Sequence, residues 1–139
     1  MEDSVVTEVS GRFAYVVGRV NRRLIAARGS LSYGLLSALS TVSKQGPIRF
    51  ADLAQIELVS APSITRLVAE LENRGLVERS ADPVDGRASL IVVTEKGSAA
   101  ILEARAARAK VVFDLLSGLT DDEVAAVERA LPALERLID

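Results

Sequence analysis

Apolar residues recur at helical spacing through most of this chain, and only one short region departs from that period. From about Val5 to Ala27, the residues Val9, Phe13, Val16, Val17, Val20 and Leu24 line one helical face. Arg12, Arg19 and Arg23 form a separate stripe on the same segment. That stripe reads either as a solvated face or as a cationic wall for an anionic ligand or DNA phosphate. A break is expected at Gly29 and Ser30. Ser32 suits the N-cap of a second helix running to about Ser43, packed through Leu35, Leu36 and Leu39. Gln45-Gly46-Pro47 ends it, because glycine suits a helix C-terminus and proline cannot continue one. Ile48-Arg49 fits a very short strand. Phe50 to Leu58 then predicts the first helix of a helix-turn-helix, with Leu53 and Ala54 facing inward and Ile56 a further candidate.

The next 35 residues, Ser60 to Thr94, carry most of the chemical information. Ser60 is a good N-cap, and Pro62 falls in the first turn, where a missing N–H is harmless. Ile64, Leu67, Val68 and Leu71 follow the i, i+3, i+4, i+7 pattern and are expected to bury. The opposite face carries Pro62, Arg66, Ala69 and Asn73, flanked by Ser63 and Thr65, and acidic residues begin only at Glu70. Small hydroxyls, one arginine and the positive end of a helix suit phosphates and base edges. An ordinary amphipathic surface helix would look similar. Gly75 closes this helix, Leu76 to Arg79 begins a strand, and Ser89 to Val93 is apolar and β-branched, as a return strand should be. Asp82-Pro83 and Asp85-Gly86 are turn dipeptides between them. Arg87 lands beside the turn, where an arginine can enter a narrow minor groove. Asp85 is expected to hold its guanidinium extended; the alternative is that the two residues only stabilise the turn.

The last third is helical. Thr94 caps an alanine-rich helix to about Ser117, whose apolar residues include Ile101, Leu102, Val112, Leu115 and Leu116. Thr120 to Glu123 is a capping box that starts another helix. There Val124, Val127, Leu131, Leu134 and Ile138 recur at the spacing that suits packing on a partner helix. Pro132 is expected to bend it by removing one backbone bond.

Composition narrows the function classes. The 139 residues fit one compact domain, and 49% are hydrophobic, yet no apolar run approaches the roughly 18 residues of a membrane span. The surplus apolar surface is expected in helix packing or a subunit interface. The N-terminus is acidic, with no positive segment followed by an apolar one, so a signal peptide is not expected and the cytoplasm is. There is no Cys and no His, which excludes disulfides, thiol switches, thiolate or imidazole metal sites and His-based catalysis. Neither a paired-carboxylate site nor a glycine-rich phosphate loop stands out, so neither an enzyme nor a cofactor is expected. The net charge of −2 argues against a nonspecific DNA coat. Between Lys44 and Lys96 seven basic residues face eight acidic ones, so any DNA affinity rests on few contacts per subunit, which favours a dimer.

The stretch from Leu53 to Gly97 resembles the MarR-type winged-helix transcriptional regulators. The likeness is densest at PSITRLV, at LENRGLVER, and at the DxR followed by a strand and TEKG. It implies a mainly α fold with a small β-hairpin: a winged helix-turn-helix flanked by N- and C-terminal dimerisation helices. The corresponding division is 1–31, 32–94 and 95–139, within one compact domain overall. By resemblance, Ser60, Ala61, Pro62, Ser63, Thr65 and Arg66 open the DNA-recognition helix, with Ser63, Thr65 and Arg66 the leading contact candidates. Ser32 starts a helix that touches the DNA backbone, and Asp85 and Arg87 form the working part of the wing. The chain departs from many relatives in carrying Gly86 and Ala88 around Arg87, where further basic residues are common. The implied function is a homodimeric regulator, a repressor, that reads an inverted repeat with half-sites about 34–36 Å apart. A small aromatic or anionic effector would release it from DNA, with Arg12, Arg19, Arg23 and Tyr33 as unassigned candidates. The absence of Cys and His leaves no thiol-oxidation sensor and no ready zinc sensor. The alternative is a winged-helix protein-interaction module that does not bind DNA.

Overall fold

The structure is a computed structural model that describes residues 2–27 and 31–138. The break expected at Gly29 and Ser30 lies outside them. The elements run α1 (Asp3–Ala26), α2 (Tyr33–Gln45), β1 (Ile48–Arg49), α3 (Phe50–Glu57), α4 (Ala61–Asn73), β2 (Val77–Ala81), β3 (Ser89–Val93), α5 (Glu95–Leu116) and α6 (Asp121–Glu135). The fold is mainly helical, with one small antiparallel sheet. Among the described residues no helix is long and apolar enough to cross a membrane. The chain divides into two compact units, Ile25–Ala107 and a second made of Met1–Leu24 with Arg108–Asp139.

In the first unit the helical stripes meet in one core. Leu39 and Val42 of α2, Leu53 of α3, Ile64, Val68 and Leu71 of α4 and Ile91 of β3 are fully buried. Each such side chain removed from water contributes roughly 1.5–3 kcal/mol before the entropy of ordering is counted. Leu67 is half-buried and reaches α2, its Cδ2 lying 3.5 Å from where a Cβ on Gly34 would stand. Ile56, a candidate for the inner face of α3, is exposed. It sits roughly 110° round the helix from the centre of the Leu53–Ala54 stripe, at 100° per residue. Glu57 occupies the inner side instead, its carboxylate accepting a 2.9 Å hydrogen bond from the Thr41 hydroxyl.

Strand order is β1-β3-β2, so the hairpin becomes a three-stranded sheet once Ile48-Arg49 pairs with β3. Ile91 stands opposite both Ile48 and Arg79, while Leu90 stands opposite Arg49 and Ser80. Residues directly opposite share a face, so one row points into the core and the next points away. Gly75, at φ +72°, turns the chain from α4 into β2, a left-handed conformation that favours glycine. Thr94 then locks the root of the hairpin. Its hydroxyl donates to the Gly75 carbonyl at 2.6 Å and accepts from the Gly97 N–H at 3.0 Å, while its own N–H donates to the Leu76 carbonyl.

The second unit contains most of α1, the end of α5 and α6. Neither α1 nor α6 contains a buried residue. Val5, Val6, Val9, Phe13, Val16 and Val17 are all between 41% and 57% exposed, and Val124, Val127 and Leu131 of α6 are exposed as well. Apolar stripes at this period normally bury. The Thr120–Glu123 capping box is fully formed, with bonds of 3.2 Å and 2.8 Å between side chains and backbone. Helix α6 continues through Pro132, where the Glu128 carbonyl loses its usual N–H partner.

Candidate nucleic-acid interface

The leading end of α4 is built from its cap outward. Ser60 is in extended conformation, and its Oγ accepts the Ser63 N–H at 3.3 Å. The same hydroxyl donates to Ser63 Oγ at 2.9 Å, and Arg66 Nη2 donates to Ser63 Oγ at 3.3 Å. Ser60, Ser63 and Arg66 are therefore linked, and the guanidinium is drawn back along the helix toward its positive end. Thr65 Oγ1 donates to the Ala61 carbonyl at 2.9 Å, which leaves it able to accept but not to donate elsewhere. Ala61, Pro62, Thr65 and Arg66 are exposed, and Ser63 is half-buried.

The first turn of α4 contains no acid. The carboxylates that follow are matched by cations: Glu70 with Arg74 at 2.8 Å, and Glu72 with Arg79 of β2 at 2.8 Å. The leading turns thus keep the positive field of unsatisfied N–H groups without nearby negative charge to cancel it. Among the described residues no ion pair involves Arg66 or Arg87. Ser32 is exposed and caps α2 by accepting the Leu35 N–H at 3.3 Å. All of these groups belong to the same compact unit.

The wing tip consists of two successive aspartate turns. Asp82 Oδ1 accepts the Val84 N–H at 2.9 Å, and Asp85 Oδ1 accepts the Arg87 N–H at 3.1 Å. The loop closes through Asp82 N–H to the Ala88 carbonyl and Ala88 N–H to the Asp85 carbonyl. This corrects the expectation for Asp85: its carboxylate holds the backbone N–H of Arg87, not the guanidinium. The reason is local reach, since an aspartate in a turn meets the N–H two residues on before any side chain there. Arg87 itself is exposed.

Two groups whose pairing neither periodicity nor turn chemistry reveals also shape this region. Asp82 is only 5% exposed and is the one buried charged residue among those described. Arg49, at the end of β1, donates to Asp82 Oδ2 through Nε at 2.7 Å, and its Nη2 completes an ion pair with the same oxygen. The Val84 N–H and the Arg49 guanidinium outweigh burial and hold the Asp82 carboxyl below its ordinary pKa. Beside Arg49, the Phe50 ring lies under the guanidinium of Arg79, 4.9 Å from its centre. An aspartate before proline signals a turn, which found Asp82's local role; nothing in the chain points from it to an arginine 33 residues away.

Comparison with known proteins agrees with this geometry. The sequence profile of the MarR family matches residues 31–89. An HTH-type transcriptional regulator of Mycobacterium leprae is 36% identical over 109 residues, covering 78% of this chain and 76% of that protein. One from Mycobacterium bovis is 34% identical over 125 residues, covering 88% and 87%. Among solved structures, a MarR family protein from Bacillus stearothermophilus superposes with a TM-score of 0.78 at 24% identity, covering 99% of this chain and 98% of that one. Wild-type MarR of E. coli in its apo form gives 0.72 at 24% identity, covering 93% and 96%. At these identities the structural likeness establishes the winged-helix fold.

Proposed function

The chain belongs to the MarR family of transcriptional regulators, which are not enzymes, and we propose that it is a homodimeric, sequence-specific DNA-binding repressor. The observation that carries the reading is the pairing, on one compact unit, of an acid-free helix end with an exposed arginine at a hairpin tip. Helix α4 enters the major groove, where Ser63, Thr65 and Arg66 reach base edges and Ser60, Ala61 and Pro62 approach the backbone. Ser32 offers the N-terminus of α2 to a phosphate. The wing places Arg87 in the adjacent minor groove, and Asp85 sets the turn that presents it.

One such unit supplies few cations, so a symmetric pair reading an inverted repeat is the economical solution. The unburied apolar stripes of α1 and α6 support this, since a second copy would cover them. Release from DNA is assigned to a small aromatic or anionic effector. A coupling of roughly 1–3 kcal/mol is enough to switch occupancy. The proposed location is the cytoplasm, where a bacterial regulator such as these relatives meets DNA.

The test is selection of bound duplexes from a random-sequence pool, followed by a screen of small aromatic acids for release. Enrichment of an inverted repeat is expected, with loss of binding in the Arg66→Ala/Arg87→Ala double variant. Arg87→Ala alone should weaken binding to all sequences and lower the salt slope by about 1. Failure to enrich any sequence, or full affinity in the double variant, favours the protein-interaction module. A monomer in sedimentation at micromolar concentration refutes the dimer.

A further inference from the structure

We propose that Arg49 and Asp82 form a positioning pair that aims the wing arginine, Arg87, from the far edge of the sheet. The inference rests on the DNA-docking reading above and assigns the wing's geometry to a residue outside the wing.

The connection can be followed bond by bond. Strands β1 and β2 are the two edges of the sheet, with β3 between them. Arg49 ends β1, and Asp82 follows the last residue of β2. Their ion pair therefore spans the width of the sheet. Oδ2 of Asp82 takes the guanidinium, while Oδ1 takes the Val84 N–H and starts the first turn of the wing. That turn leads directly into the second, in which Asp85 fixes the N–H of Arg87. The position of the Arg87 backbone is thus referred through two carboxylates to a strand packed on the helix-turn-helix core. Ile48, next to Arg49, is buried against that core, and the ring of Phe50 beside it is gripped by Arg79, whose other partner is Glu72 of α4. The same junction that holds the wing is tied to the recognition helix.

Stability alone does not account for this arrangement. An ion pair with a buried carboxylate and a half-exposed guanidinium gains little net free energy, because desolvation of the carboxylate offsets the attraction. What it does supply is direction: with Arg49 on Oδ2 and the Val84 N–H on Oδ1, the Asp82 carboxylate has few orientations open to it. A wing of seven residues carrying one exposed arginine would otherwise be free to swing. Fixing it removes an ordering cost that DNA binding would have to meet.

The experiment is a double-mutant cycle, read as affinity of the full chain for a duplex it has selected from a random pool, normalised to the folded fraction. In the wild-type background Arg87→Ala is expected to weaken binding about tenfold, and in Asp82→Asn by less than about twofold, since an arginine that is no longer aimed has little to lose. Arg49→Gln, which leaves both aspartate turns intact, should abolish the coupling in the same way. Arg49→Lys should restore most of it. Equal effects of Arg87→Ala in all backgrounds would overturn the positioning role while leaving the docking reading intact. No effect of Arg87→Ala in the wild type refutes the docking reading and the inference with it. Loss of the fold in both Asp82→Asn and Arg49→Gln, seen by circular dichroism, assigns the pair to stability alone and also overturns the proposal.

Discussion

Replacing Gly97 by alanine sets two effects of opposite sign against each other, and the structure says which wins. Gly97 is buried in the first turn of α5. In an isolated helix the change would stabilise by roughly 0.5–1 kcal/mol, because glycine has the larger backbone entropy to lose. Here a Cβ would overlap the Leu76 carbonyl oxygen and stand 3.0 Å from its carbon and 2.8 Å from Val93 Cγ2. Carbon atoms in contact prefer about 3.5–4.0 Å, so backbone must move by the better part of an ångström. Leu76 cannot yield cheaply: its side chain is buried, and its carbonyl accepts the Thr94 N–H at 3.1 Å. Overpacking of this kind costs about 1–3 kcal/mol, and weakening the Thr94 bond adds roughly 0.5–1.5 kcal/mol. The net expectation is a loss of about 0.5–4 kcal/mol, centred near 2, read as a lower urea midpoint with unchanged slope. The melting temperature should fall by several degrees. A Gly97→Ala variant as stable as the wild type would refute the close approach of α5 to the hairpin root. Gly97→Ser should be at least as damaging, since its Cβ meets the same atoms.

Three further outcomes follow from local geometry. Leu58 ends α3 at φ +55° with 90% of its side chain exposed, so Leu58→Gly relieves roughly 1–2 kcal/mol of left-handed strain against about 0.4–1 kcal/mol of added unfolded-state entropy; a higher urea midpoint is expected, and a clear drop would show that the leucine makes a contact. The Asp82 carboxyl is held below its ordinary pKa, so its contribution to stability is fully present above the unfolded value near 3.8 and is lost as pH falls through the lower folded value. Acid titration of Asp82→Asn should accordingly show a shallower loss of stability below about pH 4 than the wild type; superimposable profiles would remove the charge from the wing's anchoring. Arg66→Ala should weaken binding to a selected duplex and relax preference at one base pair per half-site by roughly 1–3 kcal/mol, whereas a uniform loss across sequences in competition assays would make Arg66 a phosphate contact.

Much of the fold is legible along the chain because it rests on interactions between near neighbours. Ser32, Ser60, Thr94 and Thr120 each accept an N–H three residues on, as hydroxyls before a helix do. Ile64, Val68 and Leu71 bury because their period leaves them no other face. Gly75 and Asp82-Pro83 mark turns through conformational preferences that hold in any protein. The candidate DNA-facing residues of α4 follow from the same periodicity, being the positions left over once the apolar stripe is assigned. Asp85 was within reach of such reasoning too, and the backbone N–H of Arg87 proved the nearer partner.

What the tertiary structure alone decided is which distant groups meet. Arg49 and Asp82 are 33 residues apart, and their contact exists only once β1 has joined β3 in register, Ile48 opposite Ile91 and Arg49 opposite Leu90. The grip of Arg79 on Phe50 and Glu72, and the contact that forbids a side chain at Gly97, likewise need three separate segments in place. In the sequence nothing separates Arg49 and Arg79 from ordinary solvated cations, while Arg87 is marked only by its place beside the turn. In the folded chain Arg49 pairs with Asp82 at the root of the wing, Arg79 meets Phe50 and Glu72 of α4, and Arg87 stays exposed. The physical reason is that a charge's role depends on the desolvated partner beside it, and that partner is chosen by sheet register and packing rather than by separation along the chain.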